Sequence, residues 1–301
     1  MVGQILARGR GLTLVHEPLN HEPTLSYDSI GPKTWYQFAG NDAEYAKLRA
    51  ALQRYMIRDG LPVRAFGKLI RARTCRDILR VGKYVMRGIK PYFAPRRAVF
   101  KDPFMAFSAK PLQERDNLYV ILTVRHPCGF VESVLRTADN AALEALFQPA
   151  LSALLPGYEA EARHYIGTPE LLVEQAALMW KAVYDFADRY LIDNPRTTVA
   201  RQEDLVFDTG ATLARMFKLI GVEQTPAVEA FVAESFQADH VDYDLANGPR
   251  GSYVRRDGPA TIEKWRDRLS EDEVSRIMAI TGEVAARYGY GAGPTEPLPT
   301  R

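Results

Sequence analysis

The sequence predicts an α/β domain: a central, mainly parallel sheet flanked by helices. Three observations predict it. Short apolar runs of strand length alternate with longer stretches of helical period, the pattern of a parallel sheet covered on both faces. One run, "LYVILTV" (Leu118 to Val124), passes directly into Arg125 and then Pro127, so a buried strand ends where a helix opens. The composition, 47% hydrophobic and 25% charged over 301 residues, suits a chain that buries a full core.

Taken in order, Val2 to Ala7 reads as the tail of a helix and "LTLVH" (Leu12 to His16) as a short strand. Residues 18 to 40 hold five prolines and glycines together with Trp35, Tyr36 and Phe38, and read as a loop region. Asn41 to Arg58 is helical in pattern, as is most of Arg64 to Lys90 before Pro91 stops it. "RAVFK" (Arg97 to Lys101) is a second strand, closed by Asp102-Pro103, and Leu118 to Val124 a third, followed by a helix from Pro127 to about Arg136. Pro169 to Asp193 fits one long helix with apolar residues at Leu172, Ala176, Met179, Val183 and Phe186. "TTVAR" (Thr197 to Arg201) is the fourth strand. A helix follows, N-capped by Asp208 or Thr209 and stopped by Gly221. Ser270 and Glu273 form a capping box for a last helix running to about Tyr288. Residues 1–290 make one domain and 291–301 a Gly/Pro-rich tail; no internal repeat is visible.

Several classes are set aside at once. No window of 18 apolar residues predicts a membrane span, and the N-terminus lacks a signal-peptide pattern. Cys75 and Cys128 are too few for a disulfide framework or a zinc site; both are expected as small buried hydrophobes, in a reducing cytoplasm. The formal net charge is only +2, and no nucleic-acid partner is expected. Charge is unevenly spread, however: from Arg64 to Arg97 there are eleven basic residues and one acid, Asp77. That stretch, 64–97, either attracts an anionic surface or substrate or is a solvated helix face.

In parallel α/β sheets ligands bind beyond the carboxyl ends of the strands. Arg125 sits at such an end. Its planar fork of donors suits phosphate, and Ser133 adds a hydroxyl from the following helix. The plain alternative is an ordinary ion pair. His126 is expected to pack at the helix start.

At these residues the chain resembles the sulfotransferases that use 3′-phosphoadenosine 5′-phosphosulfate, in particular their bacterial and glycan-modifying branches. "HEPLN" is similar to their strand-end acidic loop, "VFKDP" to the strand carrying a lysine near the transferred group, and "VRHPCGFVESVLR" to the 3′-phosphate motif. "VARQEDLVFDTGATLARMFKLIGV" and "RGSYVRRDGPATIEKWRDRLSEDE" resemble two later segments in the family's order. The resemblance spans about Leu12 to Tyr290 and implies a fold like that of P-loop kinases.

The resemblance implies sulfuryl transfer to a hydroxyl of a small-molecule, glycan or lipid acceptor, with adenosine 3′,5′-bisphosphate as product and no metal. It assigns Arg125 and Ser133 to the 3′-phosphate, with Arg250 and Gly251 as further contacts and Arg255 and Arg256 as competitors. Lys101 would neutralise charge on the sulfuryl group; its plain reading is a surface lysine beside Asp102. Glu17 is the first candidate for general base and His16 the second, strand alternation sending the two side chains to opposite sides. The plain reading of Glu17 is a loop carboxylate held by an arginine.

The sequence also departs from the family. The strand and glycine-rich loop that cradle the 5′-phosphosulfate are not found; "MVGQIL" is similar to the helix that follows them, so the first strand and loop of the fold are expected to be missing. A start placed at an internal methionine or a naturally shortened chain would produce this. Gln202 replaces an aromatic near the adenine, and Trp35 has no assigned role in its place. Two other readings stay open: an inactive relative that binds nucleotide or anionic glycan, and a P-loop kinase-like phosphotransferase. The second lacks a lysine-bearing phosphate loop.

Overall fold

The computed structural model describes residues 2–19, 35–57, 97–137, 141–236 and 262–291, with scattered positions between 69 and 85. Four strands are described, each of five residues: β1 (Leu12–His16), β2 (Arg97–Lys101), β3 (Val120–Val124) and β4 (Thr197–Arg201). All pairing is parallel. β1 lies beside β2 with His16 opposite Lys101, and β3 beside β4 with Val124 opposite Arg201. Among the described residues these are two separate ladders, β1–β2 and β3–β4.

Parallel neighbours need long crossovers, and helices supply them. In chain order they are α1 (Val2–Leu6), α2 (Asp42–Ile57), α3 (Ala109–Asp116), α4 (Pro127–Thr137), α5 (Pro149–Leu154) and α6 (Tyr158–Tyr165). Then come α7 (Leu172–Tyr190), α8 (Gln202–Phe207), α9 (Thr209–Ile220), α10 (Pro226–Phe236) and α11 (Glu271–Arg287).

Alternation along the strands divides these helices between two faces. Ile121, Ala200 and Val99 point to a cluster made by Ile5 and Leu6 of α1, Leu213, Met216 and Phe217 of α9, and Val228 of α10. Leu122, Val124 and Val199 point the other way, to Trp180 of α7 and Val284, Ala285 and Tyr288 at the end of α11. Helix α1 lies tight against the first ladder. A Cβ at Gly3 would come within 2.9 Å of Leu14 Cδ1 and of Lys101 Cβ, so only glycine fits there.

The predicted strands are present, and so are the predicted helices other than the one in 64–90, most of which lies outside the described residues; the shifts have local causes. The third strand starts at Val120, two residues late, and is half-buried over most of its length rather than deep. Its one neighbour among the described residues is β4. The long helix opens as a 3₁₀ turn, Pro169–Leu171, before α7 proper. Asp208 stands at the N-cap of α9 but gives no side-chain cap; its carbonyl accepts from Thr212 N–H at 3.0 Å. Gly221 ends that helix in the left-handed region, φ +60°, and the Ser270–Glu273 capping box forms. Helices α3, α5, α6, α8 and α10 are additions, short or weakly patterned in sequence.

Cys128 is buried as expected, but Cys75 is exposed. It follows Thr74, whose N–H and hydroxyl donate to Asp77 at 3.1 and 2.8 Å, so it sits on the solvent side of a capped turn. Most of the basic stretch 64–97, Arg71 and Arg80 included, lies outside the described residues, as do residues 292–301 of the tail. No helix among the described residues is long and apolar enough to cross a membrane.

Candidate functional site

The carboxyl ends of the two ladders carry different chemistry. At the first, β1 ends at His16, and Glu17 turns the backbone into the left-handed region at φ +44°. Holding a non-glycine residue there costs roughly 1–2 kcal/mol. The turn is fixed on both sides. Glu17 N–H donates to Lys101 C=O at 2.7 Å, and Leu19 N–H donates to Asp102 Oδ2 at 2.6 Å. Asp102 also accepts from Phe104 N–H at 2.9 Å, capping the 3₁₀ turn Pro103–Met105. Burial pushes the Asp102 carboxyl up to about 6, although both N–H donors oppose the rise.

The turn brings Glu17 and Lys101 together as a hydrogen-bonded ion pair. His16 Nε2 lies 3.9 Å from the same carboxylate. His16 and Glu17 thus do not part to opposite sides as strand alternation predicts: Glu17 lies past the strand, and its positive φ returns its side chain toward His16. Among the described residues Glu17 pairs with Lys101. Burial holds the imidazole of His16 below its usual range, with Glu17 opposing and Lys101 assisting.

At the second ladder, Arg125 follows β3 and its carbonyl accepts from Trp180 Nε1 at 2.9 Å. Its side chain lies over the first turn of α4. A Cβ at Gly129 would stand 2.9 Å from Arg125 Nε and 3.5 Å from Trp265 Cδ1. Gly129, Glu132, Ser133 and Arg136 follow the i, i+3, i+4, i+7 rule and form one stripe on α4. Arg125 Nη2 is 4.0 Å from Glu132 Oε2, Arg136 Nε is 3.6 Å from Glu132 Oε1, and Arg136 Nη2 is 3.4 Å from Ser133 Oγ. Arg268 Nη1 hydrogen-bonds to Glu132 Oε1.

His126 packs at the helix start. It stacks on Trp265 with centroids 4.6 Å apart and planes 9° from parallel, and its Nδ1 accepts from Cys128 N–H at 3.2 Å. Burial, reinforced by Arg266 and Arg125, pushes its pKa down to about 4.

Burial raises the Tyr36 phenol well above the usual tyrosine range, with the charge of Asp102 adding to the rise. Tyr184 Oη donates to Thr123 C=O at 3.0 Å, inside β3. At the end of β4, Arg201 pairs with Asp204 at 2.7 Å and Tyr290 Oη donates to Glu203 Oε2 at 2.6 Å, a largely buried arrangement beside Gln202. Trp35 packs on Phe104, centroids 4.3 Å apart.

The structure thus brings Glu17, Lys101 and His16 into one cluster and Arg125 and Ser133 into another. Arg250, Gly251, Arg255 and Arg256 lie outside the described residues. Sequence reasoning missed Asp102, Gly129, Glu132, Arg136 and Arg268. The α4 stripe was visible in the spacing of "GFVESVLR"; nothing in the sequence pointed Arg268 at Glu132. Among the described residues no group of three or more His, Cys, Asp or Glu side chains could hold a metal ion.

No family model matches the sequence, and no curated protein matches it. Among solved structures the chain is similar to a sulfotransferase domain from the curacin biosynthetic pathway, with a TM-score of 0.41 and 17% identity over 78% of each chain. It is similar to a like degree to a sulfotransferase domain from the Synechococcus PCC 7002 olefin synthase. There the TM-score is 0.41 and the identity 17%, over 76% of this chain and 75% of that one.

Proposed function

We propose that the chain binds 3′-phosphoadenosine 5′-phosphosulfate and transfers its sulfuryl group to a hydroxyl of a carbohydrate or lipid. The pair of strand-end clusters carries the reading. An arginine-rich cluster with a serine hydroxyl stands at the end of one parallel ladder, and a carboxylate–lysine pair at the end of the other. The donor set fits a phosphorylated ligand: among the described residues three guanidiniums converge on one buried carboxylate, Glu132, and can offer further N–H donors to an anion.

When bound, the donor supplies an activated sulfuryl group and a 3′-phosphate by which it is held. In this reading Arg125 and Ser133 hold that phosphate, with Arg250 and Gly251 as further contacts. Lys101 stabilises negative charge at the reacting end, as sulfuryl transfer requires. Glu17 takes the proton of the acceptor hydroxyl, and His16, 3.9 Å away, is the reserve base. As Lys101 turns to the anionic donor, Glu17 is released from its ion pair to act. The basic stretch 64–97 would meet an anionic acceptor. An exposed free thiol at Cys75 supports a reducing, cytoplasmic setting.

A second reading, nucleotide or anionic-glycan binding without turnover, is favoured by the Glu17–Lys101 pair, in which each group already satisfies the other. Two measurements separate the possibilities. Calorimetry should show adenosine 3′,5′-bisphosphate binding at least tenfold tighter than adenosine 5′-monophosphate. Labelled donor should pass sulfuryl to a hydroxyl in an acceptor panel. Binding without transfer selects the second reading, and preference for ATP with Mg²⁺ overturns both.

A further inference from the structure

The stripe on α4 has a partner surface that the reading above does not use. Residues 262–270 cross it, with Trp265 stacked on His126 and 3.5 Å from where a Cβ of Gly129 would stand. The 3₁₀ turn Lys264–Asp267 closes through Arg268 N–H and Leu269 N–H, which donate to Trp265 C=O at 3.2 and 2.9 Å. That closure points Arg268 at Glu132. Three guanidiniums from three places, a strand end, the helix itself and the C-terminal segment, therefore meet at one carboxylate.

The contacts are unequal. Arg268 forms a hydrogen bond, whereas Arg136 at 3.6 Å and Arg125 at 4.0 Å stand at ion-pair distance. The Glu132 side chain is 7% exposed, but Arg268 is 47% and Arg136 29% exposed. A guanidinium offers five N–H donors, so Arg268 can hold Glu132 and still present donors outward. Three guanidiniums from three separate elements, each partly exposed, gather at one carboxylate beside the Ser133 hydroxyl, an arrangement of donors that a dianion can share.

We propose that Arg136 and Arg268 complete the phosphate site of Arg125 and Ser133, with Glu132 as the positioning residue that gathers the three guanidiniums. The ligand chemistry is a dianionic phosphate monoester. The proposal rests on the Arg125–Ser133 reading above and extends it to residues that the resemblance did not assign. Gly129 belongs to the same device, because its missing Cβ leaves the space in which Arg125 lies beneath Trp265.

The test compares two nucleotides that differ only in the 3′-phosphate, adenosine 3′,5′-bisphosphate and adenosine 5′-monophosphate, titrated into the 301-residue chain. Arg136→Gln and Arg268→Ala should each weaken the bisphosphate roughly tenfold to a hundredfold, as for a lost charge-assisted hydrogen bond, and leave the monophosphate within about twofold. Glu132→Gln separates positioning from simple charge. Removing a negative charge near an anion site should tighten binding if charge alone matters; the proposal expects the bisphosphate to bind more weakly, because the guanidiniums are no longer gathered. Gly129→Ala, which keeps every charge, should weaken it too.

If Arg125→Ala leaves bisphosphate affinity unchanged, the underlying reading fails and this one with it. If Arg125→Ala weakens binding while Arg136→Gln and Arg268→Ala do not, only the extension is overturned. Equal losses for both nucleotides would reduce Arg268 to a structural tether. Should Arg268→Ala unfold the chain, Arg136→Gln on the surface of α4 decides alone.

Discussion

The β1–β2 ladder ends in a carboxylate held by a lysine; the β3–β4 ladder ends in guanidiniums gathered around a carboxylate. Among the described residues the first groups Glu17 and Asp102 around the cation Lys101, and burial holds His16 below its usual range. Among the described residues the second groups Arg125, Arg136 and Arg268 around Glu132. Both use the same device, side chains just past parallel strands, yet the charge pattern is opposite. The first end suits accepting a proton and the second holding an anion. A transferase that binds a charged donor and activates a hydroxyl needs both, kept apart.

That division predicts that kinetic and binding defects separate by ladder. The largest effect is expected at Glu17. Glu17→Gln should lower turnover by roughly 10²–10⁴ while affinity for adenosine 3′,5′-bisphosphate stays nearly constant. Arg125→Ala should do the converse, raising the dissociation constant by the equivalent of about 1.5–3 kcal/mol. If His16→Ala, and not Glu17→Gln, abolishes turnover, the base is the neighbour. If Glu17→Gln loses nucleotide affinity as well, the two ends are not separate in function.

A smaller effect distinguishes the ladders by pH. Asp102, raised to about 6, keeps its proton in the native state over a range in which the unfolded chain has lost it. Its contribution to stability therefore falls as pH rises from about 4 to about 6, by on the order of 2–3 kcal/mol. His126 is lowered to about 4, so across the same range the unfolded chain binds the extra proton, and its contribution rises with pH by a similar amount. The two slopes oppose each other. Relative to the parent chain, Asp102→Asn should gain stability from pH 4 to 6 and His126→Phe should lose it. Urea midpoints at pH 4.5 and 6 would show this; parallel shifts for both variants would mean that neither group titrates as its burial demands.

The halves were also unequally legible in sequence. Strand length, β-branched content and the Arg125–Pro127 junction made all four strands and α4 readable, because these are local signals. The Arg125–Ser133 spacing could be seen for the same reason, since both lie within one strand-to-helix unit. The first ladder's site could not be resolved from alternation, because one left-handed residue, Glu17, ends the period-two rule. Its cause is remote: Asp102 fixes Leu19 across 83 positions of chain. Arg268 and Glu132 are farther apart still, at a separation of 136, and only the fold of residues 262–270 brings them together. Side-chain pairings over such separations leave no pattern in a single sequence.

The smallest effect tests whether the second ladder's anion site depends on its C-terminal strap. Each half has a helix capped in a similar way. In α2, Asn41 Oδ1 accepts from Glu44 N–H at 3.0 Å, and the Glu44 carboxylate accepts from Gly40 N–H at 2.8 Å. In α11, Ser270 Oγ accepts from Glu273 N–H at 3.2 Å, and the Glu273 carboxylate accepts from Ser270 N–H at 2.7 Å. Removing either cap should cost about 1 kcal/mol of stability. The consequences for binding should differ. Ser270 is two residues beyond Arg268, so loosening the α11 cap should let the Arg268–Glu132 contact fray. Ser270→Ala should therefore raise the dissociation constant for adenosine 3′,5′-bisphosphate by about twofold to threefold, the equivalent of about 0.4–0.7 kcal/mol. Asn41→Ala, with an equal loss of stability in the other half, should leave it unchanged. If the two variants affect binding equally, the strap responds only to global stability. If neither affects it while Arg268→Ala does, Trp265 and Glu132 hold Arg268 in place without the cap.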